Sequence, residues 1–139
     1  MKSLACTVGL SAILLTAVSA QAQRASDAAA ACYNLDGHAS ALDCLKHRET
    51  QSAAAVKEAE RAFRAALTKS DEDPPQVSRA VETFEMASQQ YQRYRQVQCD
   101  SVAALAFGGN AAVDRRLLCQ IEMDGRRVAD LAAALEHGV

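Results

Sequence analysis

Only two prolines occur in this 139-residue sequence, adjacent at Pro74-Pro75, and its one glycine pair is Gly108-Gly109. Those two breaks cut a chain that otherwise has every local reason to be helical. Alanine dominates, runs of β-branched residues are absent, and alanine-rich segments lose little side-chain entropy on becoming helical. No segment reads as a strand, so the fold class expected is all-α.

Apolar residues recur in steps of three and four on either side of each break, as one face of a 3.6-residue helix requires. A first long helix is expected from about Ser40, read as its N-cap, to Lys69. Its stripe carries Leu42, Leu45, Val56, Ala59, Phe63 and Leu67. The acidic run before Pro74-Pro75 stops it. A second helix starts near Pro75, because proline suits a first turn where its missing N–H had no partner. Its stripe reads Val77, Val81, Phe84, Ser88, Tyr91, Arg95, Gln98, Val102 and Leu105, ending at the glycine pair. A third follows Asn110, with Val113, Leu117, Ile121, Val128, Leu131 and Leu135 on one face, to about Glu136. Gly125 interrupts it at a cost of about 1 kcal/mol relative to alanine. Three helices of about 26 to 32 residues, each about 40 to 48 Å long, joined by short breaks, predict an antiparallel three-helix bundle. A short N-terminal helix is expected between Ser26 and Ala39, closing in a turn at residues 34–37.

Residues 1–22 read as a signal peptide. Lys2 precedes an apolar stretch from Leu4 to Val18, and a small-residue run ends at Ala22, which is the three-part layout of a secretory signal. That stretch is shorter than the roughly 20 residues a bilayer needs, and no later one approaches it. Residues 23–139 then form one helical domain in the periplasm or outside the bacterial cell. Without Lys2, 14 basic residues face 17 acidic ones, a net charge of −3. Such a balance disfavours nucleic acid, which calls for a basic face.

Cys6 leaves with the signal, and Cys32, Cys44, Cys99 and Cys119 remain. An even count in a short exported chain reads as two disulfides. Metal binding has little support: Cys44-x-x-His47 is isolated and no Cys-x-x-Cys pair occurs. Cys99 and Cys119 each lie ten residues from Gly109, so folding back at the glycines brings them level. Cys32 and Cys44 lie symmetrically about His38. Pairing within each set is therefore expected over the two crossed connectivities, and closing a loop of about 20 residues stabilises by roughly 3 kcal/mol.

From Ala87 the chain reads Ala-Ser-Gln-Gln-Tyr-Gln-Arg-Tyr-Arg-Gln-Val-Gln-Cys. This resembles the Ala-Gln-Arg-x-Trp-x-x-Tyr-Arg-Asp-x-x-Cys motif of the lysozyme inhibitor LprI-like N-terminal domain family. Tyr94, Arg95 and Cys99 match by identity, and Tyr91 falls where that motif has tryptophan. Downstream, Cys119, Met123, Arg127 and Leu131 resemble a second block, Cys-Leu-x-x-Leu-Thr-x-x-Arg-x-x-x-Leu. The resemblance spans residues 84 to 131 and departs at Ser88, Gln89, Gln96, Gln120 and Asp124. It implies an envelope protein that binds a lysozyme and blocks its cleft.

The residues themselves favour structural roles for that motif. Tyr91 and Tyr94 are expected to pack their rings in the core with their hydroxyls reaching water or a carbonyl. Arg95 lies on the apolar stripe, where it can bury its stem and satisfy its fork with a carboxylate; Asp124 and Glu122 are its possible partners. Arg127 admits the same reading, and Leu131 lies on the third stripe. Catalysis lacks a serine–histidine–acid trio, a phosphate loop or a metal motif, and His38, His47 and His137 are scattered, so neither an enzyme nor a cofactor is expected.

Two kinds of protein-binding function remain. A lysozyme inhibitor needs a protruding plug, and Phe107, Gly108, Gly109 and Asn110 are the best candidate for one, although the same four residues also read as a plain turn. A scaffold module would instead recognise an envelope partner along a helix face, such as the one bearing Gln89, Gln92, Arg93 and Gln96.

Overall fold

The computed structural model describes Asp27 and residues 29–137. The expected signal segment, residues 1–22, lies outside the described residues. Among those described there are three α-helices and no strand: α1 (His38–Thr68), α2 (Pro74–Ala104) and α3 (Gly109–Glu136), preceded by one turn of 3₁₀-helix, Ala31–Asn34. Where the sequence suggested a short N-terminal helix, the described residues Asp27, Ala29 and Ala30 are helical and lead into that turn. No helix among the described residues is long and apolar enough to cross a membrane.

Each helix end has a local cause. Gly37, at φ 81°, precedes α1 and its carbonyl accepts from the Ala41 N–H at 3.2 Å. The helix therefore starts before Ser40, which lies in its first turn and is not its cap. Pro74 and Pro75 occupy the opening positions of α2, where no N–H is lost. The Asp73 carbonyl accepts from Gln76 and Val77, at 2.8 and 3.1 Å. At its other end α2 stops at Ala104, before the glycine pair. Phe107, Gly108 and Gly109 follow with φ of 53°, 100° and 70°. Gly125, which costs helix propensity, does not break α3.

Cross-helix contacts fix the directions. Arg95 reaches Asp124 and Asp100 reaches Arg116, so α2 and α3 run antiparallel. Ser52 meets Asp124 and Glu60 meets Arg127, so α1 and α3 run parallel, as an up-down-up bundle requires. The third helix lies against both others, more extensively on α1.

The interior is layered along the bundle. Near the start of α1, Ala29, Cys32, Leu45 and Ile121 form a buried cluster flanked by Cys44, Leu117 and Leu118. Disulfides join Cys32 to Cys44 and Cys99 to Cys119, with Cα separations of 5.6 and 5.5 Å, the two pairings expected from the turns. Toward the far end the Phe63 and Phe84 rings pack 4.7 Å apart. The stripes account for most of this burial, with two exceptions: Leu105 and Val113 are exposed. Both flank the α2–α3 turn, where no third helix remains to cover them.

Candidate functional site

Between the disulfide layer and the phenylalanine layer the bundle is polar. Asp124, on α3, is 1% exposed, the only buried charged residue among those described. A carboxylate buried this deeply needs hydrogen-bond and charge partners, and donors from both other helices surround this one. Arg95 Nη2 donates to its Oδ2 at 2.8 Å and to Glu49 Oε1 at 2.7 Å. Arg95 Nε lies 2.7 Å from Oδ1 in an ion-pair contact whose angle falls short of a hydrogen bond. The Tyr91 hydroxyl donates to Oδ1 at 2.8 Å. Ser52 Oγ is within donating distance of Oδ2 and of the Glu49 carbonyl, at 2.8 and 2.9 Å.

Titration follows from this geometry. Burial, the hydrogen bond to Asp124 and that residue's charge together hold the Tyr91 phenol far above its ordinary range, against the opposing pull of Arg95 and Arg127. Burial works against the Arg95 charge, but its bonds to Asp124 and Glu49 more than offset it, and its pKa is raised. Tyr91 is thus a fixed donor and Arg95 a fixed cation.

One helical turn along α3, Arg127 repeats the theme with weaker bonds. Its Nη2 lies 3.3 Å from Glu60 Oε1 and 3.4 Å from Ser88 Oγ. The guanidinium stacks over the rings of Tyr91 and Phe84, 5.2 and 5.7 Å from their centroids. Such stacking contributes roughly 0.5 to 2 kcal/mol depending on desolvation.

Of the motif residues, Tyr91, Arg95 and Arg127 are therefore brought together, and Leu131 is buried nearby on α3. Asp124 is the Arg95 partner; Glu122 pairs with Arg126 instead. Tyr94 departs from the expectation of core packing. It is 60% exposed, because one residue of helix turns a side chain by about 100° and the neighbouring Arg95 takes the inward position. Glu49, Ser52 and Glu60 were not anticipated. Each lies in step with the α1 apolar residues, so polar interruptions of a stripe were the available signal.

Two surface grooves adjoin this layer, one reaching Tyr91 and Arg127 and the other Arg95. Tyr94, Val102, Leu118 and Met123 line a groove of about 560 Å³ between α2 and α3. On the other side of α2, Gln92, Arg93, Gln96, Asp100, Arg116 and Gln120 line a shallower one of about 520 Å³. Phe107 projects from the α2–α3 turn at 97% exposure, next to exposed Gly108, Gly109 and Asn110. Tyr33, Leu35 and Val113 are exposed at the same end. There His38 Nε2 lies 3.3 Å from both Asp114 carboxylate oxygens. Burial, then the charge and hydrogen bond of Asp114, raise the Tyr33 pKa. No group of three or more metal-ligating side chains is gathered among the described residues.

These features define the class: a disulfide-stapled helical bundle with a buried polar layer and an apolar tip. Compared with protein families, curated proteins and solved structures, the chain matches none.

Proposed function

We propose that this protein is a periplasmic or secreted inhibitor of the LprI-like kind, which enters the cleft of a lysozyme with its Phe107–Asn110 tip and performs no chemistry itself. The observation that carries the reading is Phe107, a large apolar side chain 97% exposed on a backbone at φ 53°. A left-handed conformation costs a residue with a Cβ about 1 to 2 kcal/mol. Strained positions that persist cluster where a protein binds, and aromatic anchors carry a disproportionate share of binding energy. Tyr33, Leu35 and Val113 widen the apolar surface around the tip. A lysozyme cleft holds two carboxylates flanking the scissile bond, and the Asn110 amide supplies donors suited to them. Adding the purified, oxidised protein to a lysozyme clearing a peptidoglycan suspension tests the proposal. Clearing should slow, and Phe107→Ala with Asn110→Ala should restore it without moving the thermal midpoint. Undiminished clearing at large molar excess, across lysozymes of more than one type, rejects the inhibitor reading.

The second reading is a scaffold module for another envelope protein, favoured by one observation. Gln92, Arg93 and Gln96 line the shallow polar groove beside Arg116, a surface able to bond a partner's backbone and carboxylates. Pull-down from a periplasmic extract set beside added lysozyme separates the two readings.

A further inference from the structure

The outer face of α2 is not used by the bundle, nor by the tip. Met86, Tyr94, Val97 and Leu105 are each 59 to 69% exposed. Their spacing puts them, with the uncharged Gln90 and Ser101, on one stripe about 100° wide. Tyr94 also forms one wall of the α2–α3 groove, so stripe and groove are continuous. At opposite ends of that groove's α3 wall are exposed Arg115 and Asp130. Neither makes an ion pair among the described residues.

These positions share one centre of symmetry. On α2, Tyr94 and Val97 are equidistant from the point midway between Arg95 and Gln96, and so are Met86 and Leu105. On α3, Arg115 and Asp130 are equidistant from the point midway between Glu122 and Met123. The Cys99–Cys119 disulfide fixes how the two helices are aligned. Each midpoint lies three and a half residues from its own cysteine, away from the turn, so the two midpoints are level.

We infer that this face binds a second copy of the chain about a two-fold axis through those level midpoints. That operation brings Tyr94 alongside Val97 of the second copy and Arg115 alongside its Asp130, each contact occurring twice, with Met86 and Leu105 marking the two ends of the stripe. The two charges left unpaired in one copy thereby pair with the other. The apolar floor of Val102, Leu118 and Met123 loses its solvent. Met86 to Leu105 spans about 28 Å, and two adjacent helices are about 20 Å wide. That gives an interface of about 560 Å² per copy, at the low end for specific association, so a micromolar dimer is expected. The two Phe107 tips would then lie at opposite ends of the pair, both free.

Sedimentation equilibrium of the oxidised protein, from about 5 to 500 μM, tests this independently of lysozyme. The wild type should shift from monomer to dimer across that range. Tyr94→Glu, which removes two central contacts at once, should weaken association by about a thousandfold. Arg115→Asp and Asp130→Arg should each weaken it by about tenfold, and the double reversal should restore it, because the two positions face each other across the axis. Phe107→Ala should leave it unchanged. Circular dichroism confirms that each variant folds. A wild type monomeric at 500 μM overturns the inference, as do single reversals without effect or a double reversal that fails to restore the dimer.

Discussion

Replacing Asp124 by alanine should destabilise the bundle by about 3 to 5 kcal/mol, the cost of leaving one partner of a buried pair uncompensated. The lost partner is 1% exposed, and the Arg95 side chain left behind is 11% exposed. Glu49 still accepts from Arg95 Nη2, so the guanidinium keeps one counter-charge and the effect should lie toward the lower end. Tyr91 loses its only acceptor among the described residues. Ser52 can fall back on the Glu49 carbonyl. Chains of this size have about 5 to 15 kcal/mol of stability in total, so the variant should remain folded but marginal. The assay is urea denaturation followed by circular dichroism on the oxidised protein, with Arg95→Met and the double replacement Asp124→Ala, Arg95→Met completing a cycle. The double replacement should cost less than the two single costs added, because it removes both charges together. A single cost below about 1 kcal/mol, or a strictly additive cycle, would refute the account of this layer.

Cys99→Ala should cost about 3 kcal/mol in the same assay, the chain-entropy value for a loop of about 20 residues, and the shorter Cys32–Cys44 loop should cost slightly less. Because the folded Tyr91 phenol is held above its unfolded value of about 10, its contribution is fully present below that pH and is lost as pH rises toward the folded pKa. The urea midpoint should therefore fall above about pH 10, and Tyr91→Phe should flatten that part of the fall; an unchanged slope would contradict the shift. Phe107→Gly should raise stability by about 1 kcal/mol by relieving the left-handed backbone while abolishing lysozyme inhibition. A loss of stability would mean that the ring packs on the bundle.

The helices and their stapling were legible because they rest on near-neighbour rules. Proline and glycine breaks set the three helices, the three-four period set their inward faces, and symmetry about each turn set the cysteine pairs. The polar layer was legible only in part. Arg95 interrupts the α2 stripe and Asp124 falls in step with Ile121 and Val128 on α3, so their meeting was foreseeable. That Ser52 and Tyr91 converge on the Asp124 carboxylate, and Glu49 on the Arg95 that pairs with it, depends on the levels at which three helices align, which no single stripe encodes. Tyr94 was misplaced because the inward sector of a helix is narrow and Arg95 occupies it. Leu105 and Val113 were misplaced because periodicity does not reveal where the covering helix ends.

Nuclear magnetic resonance of the nitrogen-labelled protein, titrated with unlabelled lysozyme, reads both whether binding occurs and where. Binding by the tip predicts amide shifts concentrated at residues 105–113, with the Tyr33–Leu35 segment at their edge and the Asp124 layer unmoved. Shifts confined to Gln89, Gln92, Arg93 and Gln96, or a spectrum unaltered at excess lysozyme, would contradict it.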